Sequence, residues 1–395
     1  MKGLVRFRAI LCQLGEENVQ NTTRGIAFAG VSIISFFGSG RALAGPQNII
    51  DLGTLGGITS TAYGVNSNAT KVVGVSDNGA EQQAFLYTMN NTYSGGVMAA
   101  LSDLAGGNAS EAHAINLSGQ IAGFSRNSNT SSSERAVIWN GTTPTMLTNV
   151  AGGTTARAYG LSNNGTAVGF VTVAGFRQAF TYSAGTMNVL ALDPSQFNIN
   201  GSEALSISGD GRYIVGKANS VTALGEVHGF LYDTTNNATY DIVSSANTVA
   251  WGVSNSYSCG QESGGGLGWR YNNFTAVSSG AVTPHGGAGV AYDVNNVGEF
   301  VGAELDNSGN AIGAWLSDGT NTFDLNDRIS NPGVTMLSAN AVAEYDQMVA
   351  GTASFSGANR AFALVPEPSS CIGFALGLPA LGLARRRHKA KKSRK

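Results

Sequence analysis

The sequence predicts an all-β fold: a β-propeller of seven four-stranded blades, closed by the N-terminal strand. Three observations predict it. A short pattern recurs seven times between residues 49 and 364, marked by Gly74, Gly123, Gly169, Gly216, Gly260, Gly302 and Gly351 at spacings of 49, 46, 47, 44, 42 and 49 residues. Within each unit apolar and polar residues alternate with a period of two, which is strand periodicity, and four strands in about 46 residues is the size of a propeller blade. The seventh unit stops at Val365 without a fourth strand, and a matching piece, Ile49-Ile-Asp-Leu52, stands at the start of the chain. A solenoid is the rival architecture. Its coils are usually shorter and it needs capping ends, whereas the displaced strand suits a ring.

Taken in chain order, residues 1–44 carry Lys2, Arg6, Arg8 and Arg24, an uncharged and mostly apolar run over 25–40, and then Ala42-Leu43-Ala44 before Gly45. Charge, apolar run and small-x-small site is the order of a secretory signal peptide; a buried helix is the competing reading. Next comes Ile49-Ile-Asp-Leu52 with Gly53-Thr-Leu-Gly-Gly57, the closing strand. It matches Leu101-Ser-Asp-Leu104 with Ala105-Gly-Gly107, expected to be the fourth strand and exit of blade 1. The first three strands of that blade are Ala62-Tyr-Gly-Val-Asn66, Lys71-Val-Val-Gly74 and Gln83-Ala-Phe-Leu-Tyr87. Blade 2 repeats them as Ala112-His-Ala-Ile-Asn116, Gln120-Ile-Ala-Gly123 and Arg135-Ala-Val-Ile-Trp139. Blade 3 has Ala158-Tyr-Gly-Leu-Ser162, Thr166-Ala-Val-Gly169 and Gln178-Ala-Phe-Thr-Tyr182; blade 4 has Ala204-Leu-Ser-Ile-Ser208, Tyr213-Ile-Val-Gly216 and His228-Gly-Phe-Leu-Tyr232. Blade 5 has Ala250-Trp-Gly-Val-Ser254, Ser258-Cys-Gly260 and Leu267-Gly-Trp-Arg-Tyr271. Blade 6 has Ala291-Tyr-Asp-Val-Asn295, Glu299-Phe-Val-Gly302 and Gly313-Ala-Trp-Leu316, with a fourth strand at Thr322-Phe-Asp-Leu325. Blade 7, the most worn, runs from Gln347-Met-Val-Ala-Gly351 to Arg360-Ala-Phe-Ala-Leu364. Asn163-Asn-Gly165, Ser118-Gly119 and Gly209-Asp-Gly211 supply turn chemistry between first and second strands. The marker glycines fall in strands where neighbouring backbones are expected to crowd together.

The chain ends with Val365, Pro366, Glu367, Pro368 and Ser369, an apolar run from Ser369 to Ala384, and a tail that opens with Arg385, Arg386 and Arg387 and holds eight Lys or Arg in its last eleven residues. Sixteen residues with Gly373, Gly377, Pro379 and Gly382 among them fall short of the ~20 that a stable span prefers. The basic tail would stay in the cytoplasm while the middle is exported. These three parts, in this order, resemble the PEP-CTERM sorting signal of Gram-negative bacteria. The resemblance implies processing by signal peptidase and by exosortase, a cysteine transpeptidase-like membrane enzyme that cleaves near the motif. It also implies transient inner-membrane anchoring, and an organism that makes extracellular polysaccharide. A permanent tail anchor is the competing reading. The repeats, in turn, resemble the extracellular HAF repeat, whose pattern combines Ile/Val-Asn, Val-Gly, His-Ala-Phe and Leu-Gly-x-Leu-Gly-Gly. Only His228-Gly-Phe230 keeps the histidine; Gln83, Arg135, Gln178, Leu267, Gly313 and Arg360 fill the slot elsewhere. The resemblance brings no activity with it.

Between the two ends, residues 45–365 hold ten Lys and Arg against twenty-two Asp and Glu, a formal charge of −12 that the near-neutral whole chain conceals. Such a body argues against nucleic acid or an anionic membrane as partner, since both need basic surface. Cys12 and Cys371 lie in the two ends, so Cys259 alone remains in the body, read as a buried strand residue whose thiol pKa burial would raise. The body has three histidines. His113 occupies a slot filled elsewhere by Tyr63, Tyr159, Leu205, Trp251 and Tyr292, which reads as a packing position. His228 belongs to the repeat signature and reads as structural, and His285 reads as a solvated loop residue. No spaced Cys/His set and no G-x-S-x-G elbow is present. Residues 304–309 and Asp77-Asn-Gly79 offer oxygen ligands but read as turns. The expectation is therefore no cofactor, no metal and no catalytic residue.

Three functions fit. The first is an exported, exosortase-sorted surface or matrix protein whose propeller binds polysaccharide or protein through several weak contacts. The second is a secreted glycan lyase or hydrolase, which would gather carboxylates, Arg or Tyr at one end of the ring. The third is a ligand-free structural spacer, which would lack a concentrated patch.

Overall fold

The computed structural model describes residues 47–366 apart from 129, 131–132, 149, 243–246, 263–267, 273–276, 282–288 and 345–347. Ala42, Ala44 and Gly45, Glu367 and Pro368, the C-terminal apolar run with Arg385, Arg386 and Arg387, and His285 lie outside the described residues. Among the described residues the chain forms seven antiparallel sheets of four strands each, a seven-bladed propeller, with a 3-10 turn at Leu325–Arg328 and no helix long and apolar enough to cross a membrane.

The first strand of each blade faces the central axis. In blades 1 to 7 these inner strands are Ser60–Val65, Ser110–Ile115, Gly153–Leu161, Phe197–Ile207, Thr248–Val253, Gly289–Val294 and Val334–Val342. The closing strand is Gln47–Gly53, which pairs antiparallel with Ala358–Pro366 and supplies the outer edge of blade 7. Ile49, Ile50 and Leu52 are buried there, and Arg360 reaches Asp51 at 2.7 Å. Val365 and Pro366, taken from sequence as part of the sorting motif, end the last strand of the ring.

One expectation is corrected. The outer strand of blade 1 is Gly96–Ala100, and Leu101–Leu104 is an irregular connection after it. Leu101 is fully buried because it dives between blades 1 and 2, in a cluster with Val73, Ala84, Ala112, Ile121 and Trp139. Its apolar character reflects that plug and not a strand face.

The core is the set of seams between neighbouring sheets, where side chains of adjacent blades interdigitate. In blade 4, for example, Ile214, Ala218 and Phe230 pack with Val168 and Ala179 of blade 3. Hydrogen bonds cross the same seams. The backbone N–H groups of Ala84, Ala179, Gly229 and Ala361, each on a third strand, donate to the hydroxyls of Ser110, Ser202, Thr248 and Ser60 on the next inner strand. The small residue before the aromatic in the third strand is thereby explained: a Cβ at Gly229 would already touch the Ala250 backbone at 3.1 Å.

Candidate functional site

The inner strands share a local irregularity that creates the site. In every blade the pairing with the second strand skips one residue: Tyr63, His113, Tyr159, Leu205, Trp251, Tyr292 and Asn340. Each is the extra residue of a β-bulge, which leaves a ladder position unpaired and re-aims a side chain. The seven side chains converge on the axis and form a ring. His113 is thus a channel residue, and its slot is not simply a packing position.

The marker glycines stand opposite these bulges. A Cβ on Gly74, Gly123, Gly169, Gly216, Gly260, Gly302 or Gly351 would sit inside the contact radius of the carbonyl oxygen of Thr61, Glu111, Arg157, Glu203, Val249, Val290 or Ser338 respectively. Each glycine also pairs across the sheet with a third-strand residue: Phe85, Val137, Phe180, Phe230, Trp269, Trp315 and Phe362. Six of these are aromatic, and the rings of Phe85, Phe230, Trp269 and Trp315 lie over the space that a missing side chain leaves.

Below the ring, toward the turns between first and second strands, lies a cavity of about 190 Å³ lined by the ring residues with Gly64, Gly160, Gly252, Asp293 and Glu344 among others. Blades 1, 3 and 5 have glycine just after the ring residue because the inner strands nearly touch there: a Cβ at Gly252 would meet the Tyr292 oxygen at 2.6 Å. Asp293 takes this position in blade 6. Its two carboxylate oxygens accept the backbone N–H groups of Val294 and of Val342 in blade 7, both at 2.9 Å. Burial outweighs these bonds and pushes its pKa up to about 7. At this rim a relay ties consecutive blades. Leu117 N–H donates to Asn163, Asn163 N–H to the Gly209 carbonyl, Asp210 N–H to Asn255, Asn255 N–H to Asn296, and Asn296 N–H to Glu344.

The opposite end of the channel is charged on blades 2 to 4. Glu111, Arg157 and Glu203 stand two residues before the ring position on three successive inner strands, and Glu111 and Arg157 act on the ring residues His113, Tyr63 and Tyr159. Arg157 makes a two-pronged pair with Glu134 at 2.7 and 2.8 Å and lies 4.0 Å over the Phe124 ring. Arg126 approaches the same Glu134 at 3.8 Å. Arg177 contacts Glu203 at 2.9 Å and covers Phe170 at 4.3 Å, while Lys217 reaches Glu203 at 3.5 Å. His113 stacks on Tyr63 and meets Tyr159 edge-on, both at 5.0 Å between ring centres, and its Nε2 is 3.4 Å from Glu111. Burial, with the Glu111 charge adding to it, pushes Tyr63 up to about 12. Burial also pushes Tyr159 up to about 12, against the opposing field of Arg157. Burial works against the Glu111 charge, but His113, Arg157 and Arg126 outweigh it and hold the carboxyl below its usual range.

This assembly is the one the sequence reading missed. Its side chains come from three blades and from different positions of the repeat, and each departs from what the other blades carry there. That departure is the signal that could have found it: Glu, Arg and Glu occupy a position that is Thr61, Val249, Val290 or Ser338 elsewhere.

The other singled-out residues do not join it. His228 is fully buried in blade 4, with Nδ1 2.9 Å from Asp241 and Nε2 3.1 Å from Glu226. Burial opposes its charge, yet the two carboxylates outweigh it and hold its pKa above the usual value. Cys259 is fully buried and its Sγ faces the Ala291 carbonyl at 3.7 Å; burial pushes its thiol well up. Asp306 accepts the N–H groups of Ser308 and Asn310, and Asp77 that of Gly79, which is turn capping. Among the described residues no group of three His, Cys, Asp or Glu has the arrangement of a metal site.

No family profile matches the chain, and no curated protein does. Solved structures do. An oligogalacturonate lyase from Vibrio parahaemolyticus superposes with a TM-score of 0.51 at 10% identity, over 81% of this chain and 97% of that one. TolB from Acinetobacter baumannii gives 0.41 at 14% identity, over 63% of this chain and 64% of that one, and a gluconolactonase from Xanthomonas campestris gives 0.40 at 11%, over 83% and 93%. At such identities the likeness is one of fold: this chain is similar in architecture to propeller proteins with unlike roles.

Proposed function

We propose that the protein is exported, processed by signal peptidase and exosortase, and placed at the cell surface or in the extracellular matrix, where its propeller binds polysaccharide without cleaving it. The supporting observation is the polar cluster at the channel mouth of blades 2 to 4, where His113, Tyr63 and Tyr159 of the ring adjoin Glu111 and Arg157, and the ion pairs of Glu134 and Glu203 continue the cluster outward. That concentration disfavours a ligand-free spacer. Tyr63 and Tyr159, pushed up to about 12, stay neutral donors at pH 7, and Glu111, held low, stays an acceptor. Proton transfer needs a group whose pKa lies near the working pH, so these three suit recognition better than acid–base chemistry.

A second reading, a glycan-active enzyme, draws on Asp293, which lies in the channel at about 7. Both its oxygens are engaged by backbone N–H groups, which fits a joint between blades 6 and 7 better than a proton carrier. The test is co-sedimentation of the purified protein with the producing organism's own extracellular polysaccharide, followed by sizing of the polymer. Saturable binding with unchanged chain length is the expected result. Shortened polymer moves the assignment to the enzyme, and absence of binding contradicts both. The sorting claim has its own check: protein recovered from its host should lack the C-terminal tail, and an intact Lys395 by mass contradicts it.

A further inference from the structure

Resting on the polysaccharide reading, we infer that the channel mouth on blades 2 to 4 recognises an isolated acidic sugar, a uronate at a chain end or branch of a mostly neutral polymer. The balance of charges at this mouth favours an anion. Two buried carboxylates each serve two cations: Glu134 holds Arg126 and Arg157, and Glu203 holds Arg177 and Lys217. With Glu111 included, four cations face three carboxylates. Four of the body's ten Lys and Arg are therefore spent on one patch of a body whose formal charge is −12.

The pairing is also asymmetric in exposure. Glu203 and Glu134 are 9% and 7% exposed, whereas the Arg177 side chain is 53% and the Lys217 side chain 31% exposed. The negative partners are sealed in, and the positive ones remain open to a ligand. Arg177 uses only Nη1 on Glu203, which leaves other N–H groups of its planar fork for a second carboxylate. Neutral tyrosine hydroxyls beside the cations suit the hydroxyls of a sugar ring. The acidic remainder of the body limits the ligand: a densely charged polyuronate is repelled as a whole, while a single carboxylate is drawn to the local surplus.

The test uses two probes of equal length, a neutral tetrasaccharide and the same tetrasaccharide ending in glucuronate, with the full chain and calorimetry at low and high salt. The uronate probe should bind at least 10-fold more tightly at low salt, with the preference shrinking at high salt. Arg177→Gln leaves Lys217 on Glu203, so folding is maintained, and should cut the preference several-fold. Glu203→Gln releases two cations and should raise it. A purely structural role for these residues does not move affinity in opposite directions for the two variants. Equal binding of both probes, or a preference that neither variant changes, overturns the inference while leaving the polysaccharide reading intact if the native polymer still binds. Loss of binding to every saccharide overturns both.

Discussion

At the scale of single residues, the repeated glycine is a consequence of the repeated bulge. The bulge brings an inner-strand carbonyl onto the second strand, so the residue opposite must lack a Cβ. Gly169→Val places a branched side chain against the Arg157 carbonyl, the Ala158 backbone and, across the sheet, Phe180. Overpacking of this kind costs about 1–3 kcal/mol, and the melting temperature should fall accordingly; an unchanged melting temperature contradicts the placement. Asp293 yields a prediction of different type. Its folded pKa, about 7, lies above the ordinary aspartate value of 3.8. Its contribution is fully present below about pH 4 and is lost as pH rises through 7. Thermal melts between pH 4 and 8 should show that decline, and Asp293→Asn should flatten it. An identical pH profile in the variant contradicts the burial of this carboxyl in the channel.

At the scale of strands and blades, the sequence was most legible where a structural need recurs seven times. The aromatic of the third strand, the marker glycine and the alternating inner strand each appear often enough to be aligned by eye. The bulge itself has no mark of its own, because the extra residue faces an open channel and is free to be Tyr, His, Leu, Trp or Asn. The outer strand of blade 1 is hard to see for a related reason: with only Met98 partly buried, Gly96–Ala100 carries little pattern, while the buried Leu101 after it imitates a strand. The Ser60, Ser110, Ser202 and Thr248 hydroxyls were legible in principle, as a Ser/Thr two residues before the inner-strand alanine. Ring closure was read correctly because a missing strand and a spare strand are complementary facts. A chain starting after Gly53 loses three buried aliphatic side chains and the pairing of Ala358–Pro366. At about 1.5–3 kcal/mol each, their removal should destabilise the domain by roughly 5 kcal/mol and bare an edge strand prone to association. A truncated chain that melts like the full one contradicts closure by this strand.

At the scale of the whole molecule, a near-sevenfold scaffold carries a one-sided site. Blades 5 and 6 put Val249 and Val290 where blades 2 to 4 put Glu111, Arg157 and Glu203, so the charged end of the channel is a specialisation laid over the repeat. The scaffold holds those groups in register through seam packing and the bulge. The decisive question is whether this mouth meets the polysaccharide. Hydrogen exchange of the protein with and without the producing organism's polymer tests it most directly. Slowed exchange is expected around Glu111, Arg157 and Glu203 on the inner strands of blades 2 to 4 and in the adjoining ends of Ile121–Arg126, Glu134–Asn140 and Phe176–Ser183. Protection confined to the outer strands, or spread evenly over all seven blades, would contradict it.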